Sequence, residues 1–122
     1  MTIKELIIAR MTFTQMLGNL ITFASMESIP ILVDYVLRDL KTQERLVTSG
    51  KSKTMKSKHL NALAADIYVV NVEDHVLVTD GTDERYKRLG EYWVSIGGTW
   101  GGHWKTFKDS VHFEYDPYDD AA

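Results

Sequence analysis

The chain has 122 residues, no cysteine, 44% hydrophobic and 25% charged residues, and a net charge of -3, the profile of one soluble globular domain rather than a tail, a fibre or an array. Disulfides and thiolate zinc sites are excluded, so any metal must be held by His, Asp or Glu. The acidic balance argues against nucleic acid as a partner, because that affinity rests on neutralising phosphates. The run Lys51, Lys53, Lys56, Lys58 then reads as a solvated loop. No apolar run approaches the ~20 residues of a membrane span, and Lys4, Glu5 and Arg10 interrupt the N-terminal stretch, which lacks the features of a signal peptide. The expectation is therefore a protein left in the cytosol unless something else releases it.

In chain order, Thr12 or Thr14 can cap a helix whose Phe13, Met16, Leu17, Leu20, Ile21 and Ala24 recur at helical spacing. After Pro30, residues 31–37 suit a buried strand ending at Arg38, and residues 40–48 a short helix closed by Gly50. A polar loop covers 51–57. Residues 64–72 and 76–79 flank Glu73, Asp74 and His75, which predicts a hairpin with an exposed acidic turn. Alternation puts Asp66, Tyr68 and Val70 on one face of its first strand, and Ala65, Ile67 and Val69 on the other. Thr82 or Asp83 caps a second clear helix carrying Tyr86, Leu89, Trp93 and Val94 and ended by Gly97 and Gly98. Residues 111–115 form a last strand, with His112 and Glu114 on one face and Val111, Phe113 and Tyr115 on the other. This order gives an α+β fold, a small mainly antiparallel sheet with flanking helices.

The chemical signal is the set His59, Asp66 and His112. Two imidazoles and a carboxylate are the ligands expected of a catalytic zinc that leaves a fourth position for water. A histidine near an apolar strand is also a common structural residue. Asp66 tips the balance, because an acid inside an apolar strand is costly unless exposed, paired or bound to a cation. Asp109, three residues before His112, is placed to reach a water on the same metal, with Glu114 the next candidate base. His75 reads as a solvated turn residue, Trp93 as core, and Trp100 and Trp104 as core or cleft walls.

These residues sit in longer motifs. Ser57-Lys58-His59-Leu60-Asn61-Ala62-Leu63-Ala64-Ala65-Asp66 resembles the SxHxxGxAxD motif of the zinc D-alanyl-D-alanine carboxypeptidase and L-alanyl-D-glutamate endopeptidase superfamily. Trp100-Gly101-Gly102-His103-Trp104 and Asp109-Ser110-Val111-His112-Phe113-Glu114 are similar to its closing WGGxW and DxxHFE patterns. Tyr35 to Arg38, with Gln43 and Leu46, resembles its upstream strand, and Leu89-Gly90-Glu91-Tyr92-Trp93 resembles the LGEWW helix of short phage endolysins. Ala62 stands in place of the usual glycine, Val111 of a proline or asparagine, and His103 of an acid, amide or arginine.

The resemblance spans about Thr12 to Glu114 and implies a single peptidase domain over 1–122, with a short acidic C-terminal tail. It implies one catalytic zinc on His59, Asp66 and His112, with Asp109 as general base and Arg38 steadying the substrate or its oxyanion. Ser57, Trp100 and His103 would contact substrate. The implied activity is cleavage of bacterial peptidoglycan stem peptides by metal-activated water, most simply at the L-Ala-D-Glu bond. A D-alanyl-D-alanine carboxypeptidase, or a catalytically silent peptidoglycan-binding module, is the alternative. The implied protein is a monomer made in a host cytoplasm, reaching the wall after holin-type release.

Overall fold

The computed structural model describes residues 2–36 and 63–117. Its first helix, α1, runs Ile3–Met26 and starts well before Thr12 or Thr14. The reason is a capping box: Thr2 Oγ1 accepts from the Glu5 N–H at 3.0 Å, and Glu5 Oε2 accepts from the Thr2 N–H at 3.3 Å. Thr14 instead donates its hydroxyl to Arg10 O one turn back, at 2.7 Å. The buried stripe is Ala9, Phe13, Met16, Leu20 and Ala24, whereas Ile21 is exposed.

The outer side of α1 is apolar too, with Ile3, Ile7, Ile8 and Met11 exposed. By length and composition alone this helix meets the requirement for crossing a membrane, against the expectation from the sequence. Lys4, Glu5 and Arg10 read as interruptions of the pattern, but they lie within the first turns of one continuous helix. The same helix contributes five side chains to the core, as a core helix does.

The described residues hold five strands, all paired antiparallel: β1 (Ile31–Tyr35), β2 (Ala64–Asn71), β3 (Val76–Leu77), β4 (Thr99–Trp100), which the sequence did not predict, and β5 (His112–Glu114). The sheet order is β1-β2-β5-β4, with β3 paired to the far end of β2. The β2–β3 hairpin is as expected but shorter, and His75 takes a left-handed turn conformation with φ 54°. β1 stops at Tyr35, short of the expected end, and it is not the buried strand expected: it stands at one end of the sheet order, with Leu32 and Val33 exposed. The expected helix at 40–48 and loop at 51–57 lie outside the described residues.

Helix α2 (Glu84–Ser95) begins at Asp83, whose side chain accepts from the Arg85 N–H at 2.9 Å. It buries Tyr86, Leu89, Gly90 and Trp93; Val94 faces solvent instead. Gly97, at φ 107°, ends the turn beyond it. An ion pair of 2.6 Å between Arg88 and Glu27 ties α2 to the end of α1.

Helices α1 and α2 contribute to one core with the sheet face carrying Ala65, Ile67, Val69 and Phe113, all fully buried. Trp93 lies at its centre, edge-on to Phe13 at 5.9 Å and to Phe113 at 6.0 Å. Each such large apolar side chain stabilises the fold by roughly 1.5–3 kcal/mol. The polar tips within this core are satisfied. The Tyr86 hydroxyl accepts from the Val69 N–H at 2.9 Å and donates to Val78 O at 2.5 Å, and Trp93 Nε1 donates to Glu114 O at 2.9 Å.

Candidate metal site

With Ala65, Ile67, Val69 and Phe113 turned inward, alternation turns Asp66, His112 and Glu114 to the opposite side of the sheet. Asp66 and His112 are direct partners across β2 and β5. The Ile67 N–H donates to Val111 O at 2.8 Å, so Asp66 and His112 form a pair without mutual backbone hydrogen bonds, the kind in which side chains approach most closely. Asp66 Oδ1 lies 3.7 Å from His112 Nδ1, with both side chains mostly buried.

Asp109 reaches the same place from the loop before β5. That loop is held at three points. The Asp109 N–H donates to Gly101 O at 3.0 Å, Trp100 Nε1 donates to Ser110 O at 2.8 Å, and Ser110 Oγ donates to Gly81 O at 2.9 Å. A Cβ on Gly101 would lie 2.3 Å from Asp109 O, so only glycine permits this approach. Asp109 O then accepts from the His112 N–H at 3.1 Å, which links the loop directly to the strand.

One ligand atom from each of Asp66, Asp109 and His112 lies within 4.8 Å of the others. At 3.7 Å the Asp66–His112 contact is too long for a hydrogen bond. It is close to the roughly 3.4 Å that separates two donors on one tetrahedral zinc, given ligand bonds of ~2.0–2.2 Å. The site is also strongly negative. Burial, followed by the charges of Asp66, Asp34 and Asp109, pushes the Tyr68 phenol upward. At His112, burial opposes the charged ring, but the flanking Asp66 and Glu114 carboxylates outweigh it and raise the pKa to about 9. Carboxylates gathered around an imidazole fit a cation, and a nitrogen–oxygen donor set fits zinc.

Of the residues singled out in the sequence, Asp66, Asp109 and His112 come together; His59, Ser57 and Arg38 lie outside the described residues. Trp100 belongs to the core at 5% exposure, which leaves it little surface for a substrate. His103 is exposed and packs edge-on against Trp100 at 4.8 Å. The aromatic ring against the site is Trp104, tilted over His112 at 5.0 Å. Glu114 is committed elsewhere: its Oε1 accepts from His112 Nε2–H at 2.7 Å, on the side of the ring away from Nδ1, which does not suit the alternative base. The signals for both roles were present in the sequence, as the second tryptophan of WGGxW and the period-2 spacing of His112 and Glu114.

The wider similarities agree with this geometry. The chain is 28% identical over 98 residues to the L-alanyl-D-glutamate peptidase of Listeria phage A118, a match covering 80% of this chain and 34% of that protein. The chain therefore spans about a third of that relative's length. Among solved structures it resembles the L-Ala D-Glu endopeptidase ChiX of Serratia marcescens (28% identity, TM-score 0.62, 72% of this chain and 68% of that one). It shares its fold with the vancomycin resistance D,D-pentapeptidase VanY in complex with Zn(II) (18% identity, TM-score 0.61, 84% and 70%). The peptidase M15 family described as D-alanyl-D-alanine carboxypeptidase matches residues 50–115, just over half of the sequence, and it is to this family that the chain belongs.

Proposed function

We propose that the protein is a zinc-dependent peptidase that cuts the stem peptides of bacterial peptidoglycan, at the bond between L-Ala and D-Glu. The observation that carries this reading is the Asp66–His112 pair, 3.7 Å apart on the sheet face opposite the core, with Asp109 beside it. Two relatives at 28% identity, the phage L-alanyl-D-glutamate peptidase and the L-Ala D-Glu endopeptidase, favour that bond. The phage relative also supports synthesis inside a host cell and action on the wall after release. In this reading residues 12–114 are the motif-bearing core of one peptidase domain.

His59, Asp66 and His112 would hold the metal. Bound there, zinc supplies Lewis acidity and lowers the pKa of a coordinated water towards ~7. The protein's own part is positioning and proton transfer. Asp109, fixed through Gly101, takes a proton from the attacking water and returns it to the leaving amine. Arg38 meets the negative charge that develops on the scissile carbonyl oxygen. Trp104 walls the cleft beside His112, shielding the ligand from bulk water.

Digestion of purified peptidoglycan, with the new termini identified by mass spectrometry, tests this directly. New N-terminal D-Glu, abolished by chelator and restored by zinc, is the expected result. Release of free D-Ala would reassign the protein as a carboxypeptidase, the activity for which its family is described. Undigested peptidoglycan in the presence of zinc would leave only a binding role.

A further inference from the structure

We infer that Phe107 is a substrate-binding residue: its ring, at the tip of the loop before β5, takes the apolar face of the sugar that carries the stem peptide. The inference rests on the proposed peptidase activity and adds to it a contact on the glycan side of the bond that is cut.

Backbone conformation and position carry the argument. Among the described residues, Ser28, His75 and Phe107 are the non-glycine residues with positive φ. Ser28 ends α1 and His75 turns the β2–β3 hairpin, places where polar residues commonly adopt this conformation. Phe107, at φ 51°, is bulky and 72% exposed. A left-handed phenylalanine costs free energy that glycine or asparagine would avoid, and a ring so exposed offsets little of it by burial. Local strain without a packing reason points to a use for the side chain.

The loop that carries the ring stands against the metal site at both ends. The Trp104 N–H and the Asp109 N–H donate to one acceptor, Gly101 O, at 3.2 and 3.0 Å. Residues 104 and 109 are thereby pinned together, with the Trp104 ring over His112 and Asp109 among the candidate ligands. Residues 105–108 project between them and are all exposed. Two residues of chain span at most about 7 Å, so Phe107 begins within that distance of the backbone of Asp109. An extended substrate covers a similar distance in two residues. In peptidoglycan L-Ala is the first residue of the stem and is joined through a lactyl group to N-acetylmuramic acid, so a sugar begins within this reach of the L-Ala-D-Glu bond. The alanine methyl and the charged groups of the stem give a flat ring little to cover. A sugar ring presents a face of C–H groups, which the electron-rich face of an aromatic ring attracts.

The test compares zinc-loaded wild type, Phe107→Asn and Phe107→Tyr on two soluble substrates with the same peptide stem, one carrying the disaccharide and one without it. Asparagine accepts the left-handed backbone but has no ring, and tyrosine keeps the ring. In Phe107→Asn the ratio of kcat/KM on the sugar-bearing substrate to that on the free peptide should fall about tenfold, through KM rather than kcat. Its zinc content should match wild type, and its stability to urea should be no lower. Phe107→Tyr should keep the wild-type ratio. Phe107→Gly is the second ring-free variant should the asparagine protein not fold. A wild-type ratio in the ring-free variants, or an equal loss on both substrates, overturns the sugar contact and leaves the peptidase activity standing. Loss of stability in both ring-free variants overturns it too, and makes Phe107 a structural residue. A wild type that cleaves neither substrate overturns the activity itself, and the role of Phe107 with it.

Discussion

Asp66 and His112 face each other across two antiparallel strands, 3.7 Å apart, with the Glu114 carboxylate on the other side of the imidazole. The ring thus stands between two negative groups in a mostly buried position, and several measurable properties follow from that arrangement.

Metal and stability should be lost together at this pair. Zinc that binds only the folded protein stabilises it by about 2.7 kcal/mol when its free concentration is 100 times the dissociation constant. In His112→Ala, and equally in His59→Ala, denaturant titration with and without zinc should show no such difference. A His112→Ala protein that retains one zinc would remove His112 from the ligand set.

Asp109 should separate chemistry from binding. Asp109→Ala is expected to keep the metal but to lose turnover by ~100-fold or more, the usual contribution of a general base. Zinc content and the rate of peptidoglycan digestion, measured on one preparation, decide it. An unchanged rate would give the proton transfer to another group.

The metal-free protein should become less stable as the solution turns alkaline. The folded pKa of His112 is about 9, raised from its ordinary 6.5. The stability this contributes is complete below pH 6.5 and disappears as pH rises through about 9. Urea titrations in chelator at pH 6 and pH 10 should show that loss in wild type and a smaller one in His112→Asn. Zinc affinity should move the other way, rising with pH towards 9, because the metal competes with the proton.

At Gly101, a single methyl group should reach the chemistry through the backbone. In Gly101→Ala the new Cβ would fall 2.3 Å from Asp109 O and push the loop from its place. Overpacking of this kind costs typically ~1–3 kcal/mol. Turnover should fall by more than that destabilisation explains, measured at a temperature where the variant is fully folded. Wild-type kinetics would mean that the loop yields without moving the carboxylate.

Arg38 should not tolerate lysine. A planar guanidinium that grips substrate or oxyanion through two nitrogens cannot be replaced by a point charge. Arg38→Lys should lose much of its kcat/KM with zinc content unaltered, whereas an exposed ion pair worth ~0–1 kcal/mol would hardly register the change.

Much of this arrangement was legible in the residues themselves. The β2 alternation placed Asp66 opposite the core-facing side chains, and Asp83 marked the start of α2. Other features carried no readable pattern. β4 has two residues between glycines, too few to show a period, and it forms only because β5 offers an edge. The start of α1 is hidden by charges that resemble a break in an apolar pattern but belong to its first turns, one of them, Glu5, to the Thr2–Glu5 capping box. Ile21 and Val94 fit helical spacing but lie just outside the buried arc, a distinction set by what packs against the helix rather than by the sequence of the helix. At the site, the motifs supplied residue types, while the places of Trp104 and Glu114 were set by the fold, which brings both against the His112 ring.

The three-residue strand β5 has a double allegiance, and it divides the protein's tolerance of change along a plane. Phe113 belongs to the packed interior, whereas its neighbours on either side serve the opposite face. Variation beneath that plane is constrained by volume, and variation above it by charge and reach. Under the proposed peptidase activity, the surroundings of Tyr68 and Trp104 are therefore the place to alter specificity while the Phe13–Trp93–Phe113 cluster stays untouched, and the two sides can be scored by separate assays.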